Sequence, residues 1–274
     1  MTAEEQRTVQ RVDLPDGGHL AYVETGSGPP VVLLHGGVLD HRQWNPQLES
    51  LPDGYRVIAV DARGHGWSST PVRSFRHCDD LAVLLEQLEI ERAALIGISM
   101  GAGTAVDVAL EYPQLVDRLI VSGTGTSDPT FTEPWILGRL REWNAAAERR
   151  DKRGWIDVFL SMAPGPDRTL GDMDADVVGL LRGMAERTVE IHIPSGPTVL
   201  PVPVENPWAR VSGIEVPVLA VPGMADSSDH IRMAQELADL VDDGRVVQID
   251  GVGHYPNLEE PREFDVIIRT FLAR

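Results

Sequence analysis

The sequence predicts an α/β fold with a mostly parallel central sheet, flanking helices and one inserted helical segment. Three observations lead to this prediction. Short apolar runs alternate with longer amphipathic segments, most of the runs end in a turn that contains glycine, and one long stretch carries helical segments without any comparable apolar run.

Eight segments are predicted to form strands. Residues 7–14 and 19–24, separated by a turn that includes Asp-Gly-Gly, are typical of an antiparallel hairpin. Six buried strands are predicted at 30–36, 55–64, 93–99, 118–123, 217–223 and 246–253. Because ligands of open α/β sheets bind beyond the carboxyl ends of the strands, the turns that follow these strands are the first places to look for a site.

A helical insertion is predicted between two of these strands. The stretch 124–210 holds four of the six tryptophans and is far longer than the roughly four to six residues of an ordinary connection. The proline-rich stretch 193–207 is predicted to return the chain to the sheet. We therefore expect residues 1–123 and 211–274 to form the core domain in two parts, with residues 124–210 as a cap.

Composition and charge exclude several classes of function. The chain of 274 residues has 42 acidic and 24 basic side chains, and its formal charge of -18 disfavours nucleic acid and anionic membranes as partners. The single cysteine, Cys78, excludes an internal disulfide and a cysteine-based metal cluster. With no apolar leader and no apolar run near the ~18 residues of a membrane span, we expect a cytoplasmic protein.

The segment Gly-Ile-Ser-Met-Gly at 97–101 carries the first candidate for chemistry. It matches G-x-S-x-G directly after an apolar strand and before a helix rich in small residues. A tight strand-to-helix turn of this kind projects the serine hydroxyl above the sheet, so Ser99 is a candidate nucleophile. The alternative is a serine that only caps the following helix.

A serine nucleophile needs a base that removes its proton. His254 fits this role, because it follows Ser99 in the chain and lies in the turn after the last predicted strand. The other histidines considered are weaker candidates by their positions: His19, His41, His77, His192 and His230.

The base in turn needs an acid that orients its ring. Asp226 lies just past the predicted strand 217–223 and is the first candidate. Asp229 is the nearest competitor, although it suits a helix N-terminus. Asp128, after the strand 118–123, is a more remote alternative.

Negative charge that develops on a carbonyl oxygen needs two preorganised donors. The backbone N–H of Met100 is one candidate, and that of Gly37, in the His-Gly-Gly turn at 35–37, is the other. Val38 would replace Gly37 if the turn were shifted. A tight turn without any role in binding is the alternative for this motif.

Taken together, the sequence resembles the α/β-hydrolase superfamily, in the cap-bearing branch of small esterases, enol-lactonases and cofactor-free haloperoxidases. The order Ser, Asp, His agrees with that superfamily. The resemblance rests on motifs spread along the chain, namely HGG at 35–37 with Trp44, DARGHGWS at 61–68, GISMG at 97–101, GMAD at 223–226 and GVGHYPNLEEP at 251–261.

The resemblance implies a Ser99, Asp226 and His254 triad, with an oxyanion hole formed by Gly37 and Met100. It also implies that Asp61, Arg63 and His65 form a supporting turn. A serine at position 99 disfavours dehalogenases and epoxide hydrolases, and Ile98 is unlike the residue common in C–C hydrolases at this position.

The expected function is hydrolysis of a carboxylic ester or lactone of small to medium size and largely apolar character, through an acyl-enzyme and without cofactor or metal. Alternatives are perhydrolysis, a lyase reaction and ligand binding with little turnover. Aromatic residues of the insertion are candidates for substrate binding, with simple packing as the alternative: Trp135, Trp143, Trp155 and Phe159.

Overall fold

The computed structural model describes residues 8–193 and 199–274, so Arg7 and residues 194–198 of the predicted segments lie outside the described part. Eight strands form one sheet. In chain order they are β1 (Gln10–Asp13), β2 (His19–Gly26), β3 (Pro30–Leu34), β4 (Arg56–Asp61), β5 (Ala93–Ile98), β6 (Val116–Ser122), β7 (Val218–Ala220) and β8 (Gly244–Val246).

The strand order across the sheet is β1-β2-β4-β3-β5-β6-β7-β8. β1 and β2 form the predicted antiparallel hairpin, β2 is antiparallel to β4, and every later pairing is parallel. The predicted α/β fold is therefore confirmed.

The last strand differs from its prediction. β8 ends at Val246, and beyond it an isolated bridge joins Gly223 and Ile249. The physical reason lies in its neighbour, because β7 has three residues and Pro222 has no N–H to offer to a ladder. The chain after Val246 stays at the sheet through the N–H groups of Val247 and Ile249, which donate to the carbonyls of Ala220 and Pro222 at 2.9 and 3.1 Å, without lengthening the strand.

Helices cover both faces of the sheet. They are α1 (Asn45–Ser50), α2 (His77–Gln87), α3 (Met100–Glu111), α4 (Pro134–Glu148), α5 (Lys152–Ser161), α6 (Ala175–His192), α7 (Pro207–Arg210), α8 (Ser228–Leu240), α9 (Pro256–Glu259) and α10 (Pro261–Leu272).

Alternate residues of the central strands face two separate apolar cores. Val31 and Leu33 of β3 pack in the core with α1 and α10, whereas Val32 and Leu34 pack in the core with α2, α3 and α8. This alternation follows from the two-residue period of a strand, and burial on both faces explains the continuous apolar run of β3.

The segment between β6 and β7 contains α4, α5, α6 and α7, and its described residues include no strand. It contacts the rest of the chain through specific hydrogen bonds. Asp229 of α8 accepts hydrogen bonds from the backbone N–H groups of Thr132 and Glu133, just before α4. The carbonyl of Ala163, after α5, accepts a hydrogen bond from the N–H of His254 at 2.9 Å.

No helix within the described residues combines the length and the apolar character that a membrane crossing requires.

Candidate active site

Ser99 occupies a strained turn between β5 and α3. Its φ of 54° and ψ of -118° lie outside the regions that residues with a side chain ordinarily adopt. Glycines on either side make the turn possible: a Cβ on Gly97 would lie 2.2 Å from the carbonyl oxygen of Gly101, and a Cβ on Gly101 would lie 2.0 Å from that of Leu34. The close packing of this turn holds the half-buried serine at the edge of the sheet.

His254 lies beside Ser99. A Cβ built on Gly123, after β6, would lie 3.3 Å from both His254 Cε1 and Ser99 Cα, so the ring and the serine backbone flank the same glycine. Position 123 has a φ of 95°, which favours glycine, and any side chain there would enter the space that the two residues share.

Asp226 lies on the far side of the His254 ring. His254 Nδ1 donates to Asp226 Oδ2 at 2.6 Å, and both residues are buried. Because an ionised carboxylate only accepts hydrogen bonds, the proton of this bond belongs to Nδ1, and Nε2 is left free to accept one. The sequence-predicted Ser99, His254 and Asp226 are thus brought together.

A second histidine, His230, also contacts Asp226. His230 Nδ1 donates to Oδ1 at 2.9 Å, and the backbone N–H of Ser227 donates to the same oxygen at 2.7 Å. The rings of His230 and His254 lie 4.3 Å apart between centroids. Sequence reasoning set His230 aside as a helix residue, and the only signal for it was its position four residues after Asp226.

These hydrogen bonds control the charge of Asp226. Burial alone would raise its pKa, but the adjacent His230 and His254 rings hold the pKa well below its ordinary value. Asp226 is therefore ionised at neutral pH and can stabilise a positively charged His254.

The two alternative acids lie elsewhere. Asp229 holds the backbone before α4, as described above, and its side-chain partners include Arg232. The carbonyl of Asp128 accepts a hydrogen bond from the Trp208 indole. Neither residue has a hydrogen bond to His254 in the described part of the chain.

The His-Gly-Gly turn lies against the start of α3. A Cβ on Gly37 would be 3.8 Å from Met100 Cβ, and within the described residues the N–H groups of Gly37 and Met100 donate to no other protein group. Gln43 Oε1 fixes the turn by accepting from the N–H of Gly36 at 2.8 Å. Val38 has a φ of 72°, an uncommon conformation for a β-branched residue.

Ser99 lines a cavity of about 300 Å³, a volume at the lower end of the range for small-molecule sites. One wall is α3, the second is the chain after β6, and residues 201–203 form a third. Polar side chains on these walls are Thr104, Asp107, Thr124, Thr126 and Ser127.

The four aromatic residues predicted to contact substrate lie away from the lining of this cavity. Trp143, Trp155 and Phe159 contact one another, with ring centroids 4.7 Å apart for the two tryptophans, and they pack on the core. Trp135 lies half-buried at the start of α4. The apolar part of the lining comes from Met100, Pro129 and residues 201–203 instead of from these aromatic side chains.

Comparison with known proteins decides the family. The model of the α/β hydrolase fold family matches residues 29–261. The chain belongs to the α/β hydrolase fold family.

Three relatives illustrate its range. A protein of Bacillus subtilis named as a putative 2-succinyl-6-hydroxy-2,4-cyclohexadiene-1-carboxylate synthase is 28% identical, over 96% of this chain and 97% of its own. The 3-oxoadipate enol-lactonase 2 of Acinetobacter baylyi is 26% identical over 84% of each chain. The structure of a thermophilic esterase from Thermogutta terrifontis has a TM-score of 0.76 and 25% identity, over 98% of both chains. Hydrolase activity is supported by the family match, the enol-lactonase and the esterase.

In this α/β hydrolase chain, the side chains of the turn after β4 form hydrogen bonds with other parts of the protein. Asp61 accepts from the His41 ring and from the N–H of Trp67, both at 2.8 Å. Arg63 binds both carboxylate oxygens of Asp80. His65 Nδ1 contacts only the Arg63 carbonyl among the hydrogen bonds of the described residues.

Among the residues that the structure describes, two clusters of side chains have metal-ligating atoms close together: Asp226, His230 and His254, and Asp40, His41 and Asp61. Hydrogen bonds account for both arrangements: Asp226 and Asp61 bind the histidines described above, and Asp40 accepts from the Arg42 guanidinium at 2.9 and 2.7 Å. A metal ion is therefore not required to explain either of them.

Proposed function

We propose that this α/β hydrolase cleaves carboxylic esters or lactones with Ser99 as the nucleophile. The observation that carries the proposal is the continuous arrangement of Ser99 on its strained turn, His254 beside it and Asp226 bonded to His254 Nδ1 at 2.6 Å. The names of an enol-lactonase and an esterase among the relatives support the same class of substrate.

In the proposed reaction, His254 Nε2 accepts the proton of the Ser99 hydroxyl as its oxygen attacks the carbonyl carbon. Asp226 keeps the ring in the tautomer with its proton on Nδ1 and stabilises the imidazolium. His254 then donates the proton to the departing alkoxide, which leaves an acyl-enzyme. Water, deprotonated by the same histidine, adds to the acyl carbon and releases the acid.

The N–H groups of Gly37 and Met100 would stabilise the oxyanion in both steps. They lie on opposite sides of the contact between the 35–37 turn and α3, and each is held by its local backbone. Donors fixed in advance need no reorganisation when the charge develops, and removing one such donor typically costs about 3 kcal/mol of barrier.

We also propose that the insertion 124–210 acts as a cap on this site. Its residues 163–165 reach the catalytic groups, since the Ala163 carbonyl accepts from His254 N–H and a Cβ on Gly165 would lie 1.7 Å from the Ala225 carbonyl oxygen. The cap thereby contributes to the positions of His254 and Asp226.

Hydrolysis of p-nitrophenyl esters of graded chain length, beside a small panel of lactones, tests the proposal. Wild-type turnover should fall by at least about a thousandfold in Ser99→Ala and in Asp226→Asn. The exposed Asp239 provides a matched control, because Asp239→Asn makes the same change of charge far from these residues. Turnover that survives in Ser99→Ala would contradict the mechanism.

A further inference from the structure

Asp107 is a buried carboxylate in the cavity that contains Ser99. It lies eight residues after Ser99 on α3, and its exposed fraction is 5%. Since a helix rises 1.5 Å per residue, about 12 Å separates the two backbone positions. The cavity therefore connects the proposed nucleophile with a carboxylate at its other end.

Few hydrogen bonds and no direct ion pair among the described residues offset the cost of burying the Asp107 carboxylate. In the described part of the chain, its hydrogen bonds amount to one, from Ser127 Oγ at 2.8 Å. The cations Arg76 and Arg210 both pair with Glu111, at 2.7 and 2.8 Å. Burial raises the pKa of Asp107 to about 6, against the lowering effect of Ser127, so the group is mainly ionised at neutral pH.

The hydroxyl groups of the walls present oxygen acceptors to the cavity. Each hydroxyl has one proton to donate, and three of these protons are directed at protein oxygens: Thr104 to the Met100 carbonyl, Thr124 to the Ser99 carbonyl and Ser127 to Asp107. Their lone pairs remain for a ligand that donates hydrogen bonds.

Positive charge is lacking in the cavity. Its lining residues from the described part of the chain include no lysine or arginine, and burial lowers the pKa of His77 to about 3, which leaves that ring neutral. A substrate carboxylate would meet Asp107 and acceptor oxygens there, without a cation to bind it.

We propose that this cavity binds the ammonium group of a cationic ester or lactone, with Asp107 as its counter-ion. The proposal rests on the proposed function, because it names the substrate class of the same Ser99 site. An ammonium group supplies three donors and a positive charge, which match the carboxylate and the hydroxyl oxygens. The formal charge of -18 on the whole chain also favours the approach of cations.

Binding of three small ligands to the wild-type protein tests this inference without any turnover. Isothermal titration calorimetry would compare hexylammonium, hexan-1-ol and hexanoate, which differ mainly in the charge of one end. We expect hexylammonium to bind at least about tenfold more tightly than the alcohol, because a hydrogen bond to a charged group is worth 1.5–3 kcal/mol. Hexanoate should bind most weakly.

Variants at position 107 test whether Asp107 causes the preference for hexylammonium. Asp107→Asn should reduce hexylammonium affinity at least about tenfold, whereas Asp239→Asn should leave it unchanged. Asp107→Glu, which places the carboxylate one methylene further into the cavity, should shift the preference from hexylammonium to pentylammonium, and it carries the test if Asp107→Asn does not fold. Equal affinity for the three ligands, or a preference that persists in Asp107→Asn, would overturn the inference.

The same preparations distinguish this inference from the proposed function. Turnover of p-nitrophenyl acetate with no preference for hexylammonium would overturn the ammonium site alone. A preference that depends on Asp107, in a protein that hydrolyses no ester or lactone, would retain the site and overturn the proposed function.

Discussion

At the scale of single residues, the arrangement around Asp226 gives His230 a role. Three donors, the Ser227 N–H, His230 Nδ1 and His254 Nδ1, lie within 2.9 Å of a carboxylate oxygen of Asp226. The first two hold Oδ1, which leaves Oδ2 directed at His254. His230 is thus a positioning residue for the carboxylate that orients the proposed base.

Replacement of His230 tests this role. His230→Leu should lower kcat about tenfold with little change in KM, because a misplaced Asp226 affects the charged transition state more than substrate binding. His230→Asn should restore most of the activity, since its amide nitrogen can donate from nearly the position of Nδ1. Steady-state kinetics on a p-nitrophenyl ester measure both, and an Asn variant as impaired as the Leu variant would refute the positioning role.

Asp107 makes stability depend on pH. Because burial raises its pKa in the folded state to about 6, the folded chain retains a proton that the unfolded chain releases near pH 4. The contribution of this group to stability is present below its unfolded pKa and is lost as the pH rises through about 6. Glu111, which raises this pKa, and Arg76 and Arg210, which lower it, are the charged groups that act on it.

We expect Asp107→Asn to remove this loss of stability. Relative to wild type, the variant should gain up to about 3 kcal/mol in free energy of unfolding between about pH 4 and pH 7.5. Urea denaturation at the two pH values measures the change. A difference between variant and wild type that is the same at both would show that the carboxyl group is not desolvated.

Some residues of the site could be predicted from the sequence, and others could not. Ser99, Asp226 and His254 each follow a strand in a recognisable motif, so the order of strands was enough to bring them together. His230 and Asp107 lie within helices whose sequences show no special pattern. Their contacts depend on side-chain directions that only the folded backbone fixes.

At the scale of elements, the junction of β5 and α3 depends on glycine. Gly101 packs so closely on β3 that a Cβ would lie 2.0 Å from the Leu34 carbonyl oxygen. Either α3 or β3 would have to move, and both Ser99 and the 35–37 turn would move with them.

Gly101→Ala should therefore lower the free energy of unfolding by about 3 kcal/mol or more. The matched control is Gly179→Ala in α6, where a Cβ meets nothing within 4 Å, and this change should raise stability by roughly 0.5–1 kcal/mol. Thermal and urea unfolding measure both. If Gly101→Ala were as stable as the control, the packing of the two elements would be looser than described.

Most of the strands and helices could be predicted from the sequence. Burial on both faces gives continuous apolar runs, so β3, β5 and β6 were predicted nearly as they are found. β8 was not predicted correctly, because its length is set by the short partner β7 and by Pro222, and the sequence of β8 itself does not show these limits.

At the scale of the whole molecule, the α/β hydrolase fold was predictable because its motifs recur at strand ends along most of the chain. The cavity was not. Its walls come from α3, from the chain after β6 and from residues 201–203, which are far apart in sequence. Its apolar lining comes from Met100, Pro129 and residues 201–203 rather than from the tryptophans of the insertion, and hydroxyl groups and one carboxylate lie among these apolar groups.

The proposed mechanism requires that the fold activate Ser99 as a nucleophile through His254. Mass spectrometry after treatment with a fluorophosphonate tests it most directly, because the reagent reacts with an activated serine whatever the natural substrate. We predict one adduct, on Ser99, in the wild type and in Asp239→Asn, and none in Ser99→Ala or His254→Ala. A folded wild-type protein without an adduct, or with its adduct on another residue, would show that Ser99 is not an activated nucleophile.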